Sequence, residues 1–150
     1  RTAAARAQGL TPKEVTILAS IVQAETAVLS EAPVVAGLYL NRLNKGMALQ
    51  ADPTLIFALG DPTIRRVLDV HKEIDSPYNT YKFKGLPPGP IRVVDPRYLM
   101  AVLQPSIHRH LYMCAKPGGD GTHDFATSYR EHLRNARAYQ SWLNKQRIYR

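Results

Sequence analysis

The sequence predicts an α+β domain: a helical body with short antiparallel strands and one hairpin, and a lysozyme-like acidic residue on a helix. Three observations predict it. Helical patterns carry clear start signals at Thr11-Pro12, Asp95-Pro96 and Ser128. Strand-like runs are few, short and irregularly placed, which disfavours a parallel α/β sheet. A Gly-rich turn, Lys116 to Gly121, separates two such runs.

In chain order, Thr11, Pro12 and Glu14 form an N-cap, a first-turn proline and the third residue of a capping box. The first helix is expected from Pro12 to about Val28. A second runs from Ser30 to Lys45 with Val34, Val35, Leu38, Tyr39 and Leu43 as its apolar positions, Glu31 favoured by the dipole at its start and Gly46 as its stop. Met47 to Thr54 reads as extended and turn-like. Asp61-Pro62 and Asp95-Pro96 are expected to open further helices. Ser76 to Ile91, rich in Pro, Gly and aromatics, reads as an ordered loop with one strand. His110–Ala115 and Thr122–Thr127 form the hairpin, and Ser128 to about Arg147 the last helix, with Glu131 completing its capping box.

The chain has 150 residues, enough for one domain with a real core, and no apolar run long enough to span a bilayer. It begins at Arg1 rather than Met, so it is read as a single domain, 1–150, of a longer protein. Cys114, the one cysteine, excludes an internal disulfide and thiolate zinc clusters and is expected to be a small buried residue in a strand. The net charge of +8 favours an anionic partner or simple solubility. Arg130, Arg134, Arg137, Lys145, Arg147 and Arg150 crowd the C-terminal helix, opposite Leu133, Ala136, Tyr139 and Leu143, as a solvated face would.

Glu25 is the acidic residue that stands out. Leu18, Ile21 and Val22 lie seven, four and three residues before it, so all four share one helical face. A carboxyl on a core-facing stripe is held neutral by burial, as a general acid must be; an ion-paired glutamate at the core edge is the plainer account. Most other acids have routine roles: Glu14 and Glu131 in capping boxes, Asp61 and Asp95 as N-caps, Asp120 in a turn, and Asp69, Glu73 and Asp75 in solvent. Asp52 and Asp124 join Glu25 as acids without one, and two of the three would make an acid/base or acid/nucleophile pair.

Tyr78, Asn79, Thr80 and Tyr81 stand before Gly85-Leu86-Pro87-Pro88-Gly89-Pro90. Such a loop either walls a sugar site, with rings stacked on sugar and amides on hydroxyls, or is simply packed by its tyrosines. His123 and Phe125 share one side of a strand and either line a cleft or serve structure. His108 and His110 form an H-x-H, but no histidine pair has helical ligand spacing; neither a metal nor a cofactor is expected.

Five blocks in order resemble the catalytic domain of the endolytic murein transglycosylases, the MltG or YceG-like family: Leu18 to Thr26 (L-A-S-I-V-x-x-E-T), Asn41 to Thr54 (N-R-L-x-x-G-M-x-L-Q-x-D-P-T), Ser76 to Tyr81, Gly85 to Ile91, and Gly121 to Phe125 (G-x-H-x-F). The likeness covers Leu10 to about Gln140, is weak over Asp61 to Glu73, and departs at Gln23, where the family usually has an acid. It implies a lyase that cuts glycan strands of peptidoglycan between N-acetylmuramic acid and N-acetylglucosamine, leaves 1,6-anhydro ends and terminates strand elongation. It implies Glu25 as the catalytic residue; Gln50, Tyr78, Asn79, Tyr81 and His123 are the candidates for sugar contacts or for orienting it. It implies a protein anchored in the cytoplasmic membrane by an N-terminal segment outside this chain, beside a LysM-like segment, with the catalytic domain facing the cell-wall side. Glycan strands, their stem-peptide carboxylates and peptidoglycan synthases are the implied partners, not nucleic acid. Two alternatives remain from the residues: a lysozyme-like hydrolase using Glu25 and Asp52, which needs two carboxylates about 5–5.5 Å apart, and a basic module that binds glycan or nucleic acid without catalysis.

Overall fold

The computed structural model describes residues 8–148, apart from 62 and 65. Arg1, Pro62 and Arg150, named above, lie outside the described residues. Among these residues stand five α-helices, two 3-10 turns and one two-stranded antiparallel sheet, in agreement with an α+β domain.

Helix α1 (Pro12–Glu25) is the central helix. Its capping box is complete: Thr11 Oγ1 accepts from the Glu14 amide at 3.2 Å, and the Glu14 carboxylate accepts from the Thr11 amide at 3.0 Å. Leu18, Ala19, Ile21 and Val22 are fully buried. The helix stops three residues before Val28. Thr26 turns extended and its hydroxyl accepts from the Val28 amide at 3.1 Å, a local bond that competes with helix continuation. A 3-10 turn, Leu29–Glu31, leads into α2 (Ala32–Asn44). Glu31 makes no capping bond there; its carboxylate is engaged elsewhere. Gly46, at φ 68°, ends α2 as expected.

Asp52 opens α3 (Asp52–Leu59), an additional helix that the sequence signals only through Asp-Pro. Thr54 and Thr80 join their hydroxyls at 2.9 Å, and Thr80 Oγ1 accepts from the Ala51 amide at 2.9 Å, which locks residues 50–54 to 79–81. Asp61 opens no helix. Its carboxylate accepts from the amide and hydroxyl of Thr63, an Asx turn. Asp69–Glu73 forms a 3-10 turn. Residues 76–91 are ordered but contain no strand, because Pro77, Pro87, Pro88 and Pro90 lack the amide donors a ladder needs.

Helix α4 (Pro96–Leu103) is capped by Asp95, whose carboxylate accepts from the Arg97 amide at 2.9 Å. It packs on α1 and α2, and Tyr98, Ala101 and Val102 complete the core with Val35, Leu38 and Tyr39. Gln23 Oε1 accepts from the Asp95 amide at 2.8 Å and so holds the approach to α4.

Strands β1 (Tyr112–Ala115) and β2 (His123–Ala126) pair antiparallel, with Ala115 opposite His123 and Met113 opposite Phe125. Cys114, half-buried, faces Asp124 across the ladder. Helix α5 (Tyr129–Ile148) packs on the hairpin and exposes Arg130, Arg134, Arg137, Lys145 and Arg147. No helix of the described residues is long and apolar enough to cross a membrane.

Polar and steric contacts join the hairpin arm to α2. Asn41 Nδ2 donates to the carbonyls of His108 and His110 at 2.9 and 3.0 Å. Arg42 Nε donates to the Leu111 carbonyl at 2.6 Å. Gly37 lies so close under this segment that a Cβ there would stand 2.4 Å from the Ser106 carbonyl oxygen.

Candidate active site

A cavity of about 340 Å³ lies between the helical body and the hairpin arm. Glu25, Tyr39, Arg42, Gln50, Asp52, Tyr81, His123 and His132 line it. The chain reaches it from four directions: the end of α1, the middle of α2, the start of α3 with its partner loop, and the hairpin with the first turn of α5.

Glu25, the last residue of α1, is half-buried and opens onto this cavity. Desolvation raises its pKa from 4.5 to about 7. The Tyr39 hydroxyl donates to Glu25 Oε1 at 2.9 Å and opposes that rise, since it favours the carboxylate. Asp52 adds to the rise and His123 opposes it. Burial, followed by the neighbouring Glu25, holds Tyr39 well above the ordinary phenol range, so it remains a donor. The result is a carboxyl that exchanges a proton near neutrality, with a fixed donor for its ionised form.

Of the residues singled out in the sequence, Gln50, Tyr81 and His123 join Glu25 on the cavity wall. Gln50 is held at φ 51°, the left-handed region, with its amide bonded to the Thr80 carbonyl at 3.1 Å. A non-glycine residue fixed there is strained, and such strain clusters at functional sites. The Tyr81 hydroxyl bonds to Asp52, while Lys72 lies over its ring at 4.8 Å. Asp52 is exposed at the first turn of α3, a helix N-terminus as the Asp-Pro pair suggests.

The other two candidates stand apart. Asn79 is fully buried at 0% exposure; its amide donates to the carbonyls of Lys72 and Ile74 at 2.9 and 2.8 Å, and its oxygen accepts from the Tyr81 amide at 3.1 Å. It folds the loop and offers a ligand nothing. Tyr78 packs against Phe57, ring centres 4.9 Å apart, and is not on the cavity wall. The Ser76–Tyr81 block thus contributes Tyr81 alone.

Three wall or support residues escaped the sequence reading. Glu31 grips His123 twice, accepting from its amide at 2.8 Å and from Nδ1 at 2.9 Å, and both side chains are only 14% exposed. A carboxylate at Nδ1 places a proton on that nitrogen and fixes the ring. Tyr39 and Arg42 sit three residues apart on α2. Arg42 follows Val35, Leu38 and Tyr39 by seven, four and three residues, the spacing that singled out Glu25, so the same rule applied to α2 finds it. His108 is occupied structurally: its Nε2 meets the Val34 carbonyl at 2.9 Å, and its Nδ1 accepts from the His110 amide at 3.0 Å.

The fold and cavity define a class: an α+β domain built around one helix-borne acid poised near neutral pH. The chain belongs to the YceG-like family, whose model matches residues 1–138. It is 38% identical over 128 residues to the endolytic murein transglycosylase of Bacillus subtilis, covering 85% of this chain and 35% of that protein. The protein of the same name from Streptococcus pneumoniae is 36% identical over 90 residues, covering 57% of this chain and 16% of its own length. A crystal structure of a yceG-like protein from Listeria monocytogenes superposes with a TM-score of 0.80 at 33% identity, over 88% of this chain and 42% of that one. The chain thus spans about a third of the length of the Bacillus subtilis relative.

Proposed function

We propose that this chain is the catalytic domain of an endolytic murein transglycosylase, a lyase that cuts peptidoglycan glycan strands and leaves 1,6-anhydro-muramic ends. The observation that carries the reading is Glu25, a cavity carboxyl with a pKa of about 7 and a tyrosine donor at 2.9 Å. The names of the relatives supply the substrate class.

Glu25, protonated, gives its proton to the glycosidic oxygen as the bond to the muramic anomeric carbon breaks. The muramic C6 hydroxyl attacks that carbon, and the Glu25 carboxylate, stabilised by Tyr39, takes the hydroxyl proton. The proton lost in the first step is regained in the second, so one carboxyl suffices and no protein nucleophile is needed. Gln50, Tyr81 and the Glu31-held His123 are the proposed sugar contacts. In the whole protein, the domain is proposed to face the cell-wall side from a membrane anchor, to work beside peptidoglycan synthases and to stop strand elongation there.

The test is cleavage of purified glycan strands in oxygen-18 water, with the products weighed. Unlabelled ends lighter by one water than hydrolytic ends are expected from wild type and from Asp52→Asn, and no cleavage from folded Glu25→Gln. Labelled reducing ends as the main primary product would instead establish the hydrolase using Glu25 and Asp52.

A further inference from the structure

We propose that Arg42 is a receptor for a carboxylate on the side arm of the muramic sugar; the choice of ligand rests on the function proposed above. Arg42 is 6% exposed. A charge buried so deeply is almost always paired, because desolvation is otherwise uncompensated. Among the described residues no carboxylate pairs with it. Its protein acceptors are two neutral carbonyls, Leu111 at 2.6 Å from Nε and Ala48 at 2.7 Å from one terminal nitrogen. A guanidinium carries five N–H donors, so most of the fork is left without a protein acceptor among the described residues. The side chain lines the cavity that holds Glu25.

Its position is fixed before any ligand arrives. The two carbonyls fix Nε and one terminal nitrogen, and the Tyr112 ring lies under the guanidinium carbon at 5.2 Å. A rigid, weakly hydrated, planar cation is the usual partner of a carboxylate, and its ordering cost is already met. The two acids on the cavity wall are taken: Glu25 by the Tyr39 hydroxyl and Asp52 by the Tyr81 hydroxyl. With those two acids nearby, the site suits a singly charged anion better than a phosphate. The muramic side arm supplies such an anion from two sources, the lactyl carboxylate of a bare sugar or a carboxylate of the peptide that extends it.

Calorimetric titration of Glu25→Gln with uncleaved ligands tests this. One pair is the N-acetylglucosaminyl-N-acetylmuramic acid disaccharide and its lactyl methyl ester. The other is the disaccharide-peptide with its carboxylates free or converted to amides. Binding at least about tenfold tighter for the acid, about 1.4 kcal/mol, is expected in one pair, and that pair identifies the source. The preference should vanish in Glu25→Gln/Arg42→Gln and survive in part with Arg42→Lys. Equal binding within both pairs, or no binding at millimolar concentration, overturns the proposal without any change at Arg42, and so does a preference that outlasts Arg42→Gln. Formation of anhydro ends by wild type is read separately, so an acid preference without anhydro products would sink the transglycosylase reading and leave the receptor standing.

Discussion

His123 is gripped by Glu31 through both its amide and its ring, so the two residues act as one wall element. If the pair orients sugar or steadies Glu25, its loss shows in turnover before it shows in stability. His123→Ala and Glu31→Gln are each expected to lower turnover about tenfold to a hundredfold, the range for losing one charge-assisted hydrogen bond. Melting temperature should fall by only a few degrees; a large fall with unchanged turnover of the folded fraction would make the pair purely structural. At this scale the sequence was legible where chemistry broke periodicity. Glu25 interrupts an apolar stripe and is visible for that reason; Arg42 interrupts the next stripe in the same way and needed only the same question. Glu31 was hidden, because a carboxylate near a helix start has a sufficient local role and its partner lies 92 residues away. Asn79 misled for the opposite reason: an amide in a loop of tyrosines looks like a sugar ligand until its neighbours' carbonyls are seen to use it.

Helix α2 carries the hairpin arm. Gly37 lies where the two are packed closely, with the Ser106 carbonyl and the His108 ring above it. A methyl group there meets backbone oxygen at 2.4 Å, which no side-chain rotation relieves. Gly37→Ala gains about 1 kcal/mol of helix propensity and loses about 1–3 kcal/mol to overpacking, with backbone oxygen as the obstacle, so a net loss of up to about 2 kcal/mol is expected in urea unfolding. Turnover should fall too, because residues 106–111 lead directly to the wall strand. The ends of elements were legible where caps are encoded locally, as at Thr11, Asp95 and Ser128. They were misread where a side chain intervened: the Thr26 hydroxyl ends α1 early, and Asp61 turns the chain upon Thr63 instead of starting a helix. The strand expected within residues 76–91 failed because an aromatic-rich run resembles a strand in composition, while its prolines deny it a partner.

For the whole molecule, the same burial that readies Glu25 makes stability depend on pH. Its folded pKa of about 7 exceeds the ordinary 4.5, so below 4.5 both states hold the proton and the stabilisation is complete. As pH rises towards 7 the unfolded chain releases that proton while the folded one keeps it, and stability declines until the folded group also ionises. The gap corresponds to at most about 3 kcal/mol, less whatever screening the open cavity provides. Asp61, Asp95 and Asp120, lowered by their own hydrogen bonds, act in the opposite sense and lose stabilisation as pH falls through the acid range. Denaturant midpoints should therefore peak near about pH 5 and fall towards pH 8. Glu25→Gln should flatten the upper limb and be the more stable protein at pH 8; an unchanged slope would mean that Glu25 titrates as an ordinary surface acid.

The stopping point of α1 has an electrostatic consequence. Peptide dipoles along a helix sum to a partial negative charge at its C-terminal end, and Glu25 is the last residue there, with no basic side chain in the final turn to offset it. The backbone itself therefore resists ionisation of that carboxyl, by about 0.3–1 kcal/mol in typical settings. Thr26, by ending the helix where it does, fixes the pole beside the acid. A residue on no wall of the cavity thus helps set the acidity of the one group the cavity is built around.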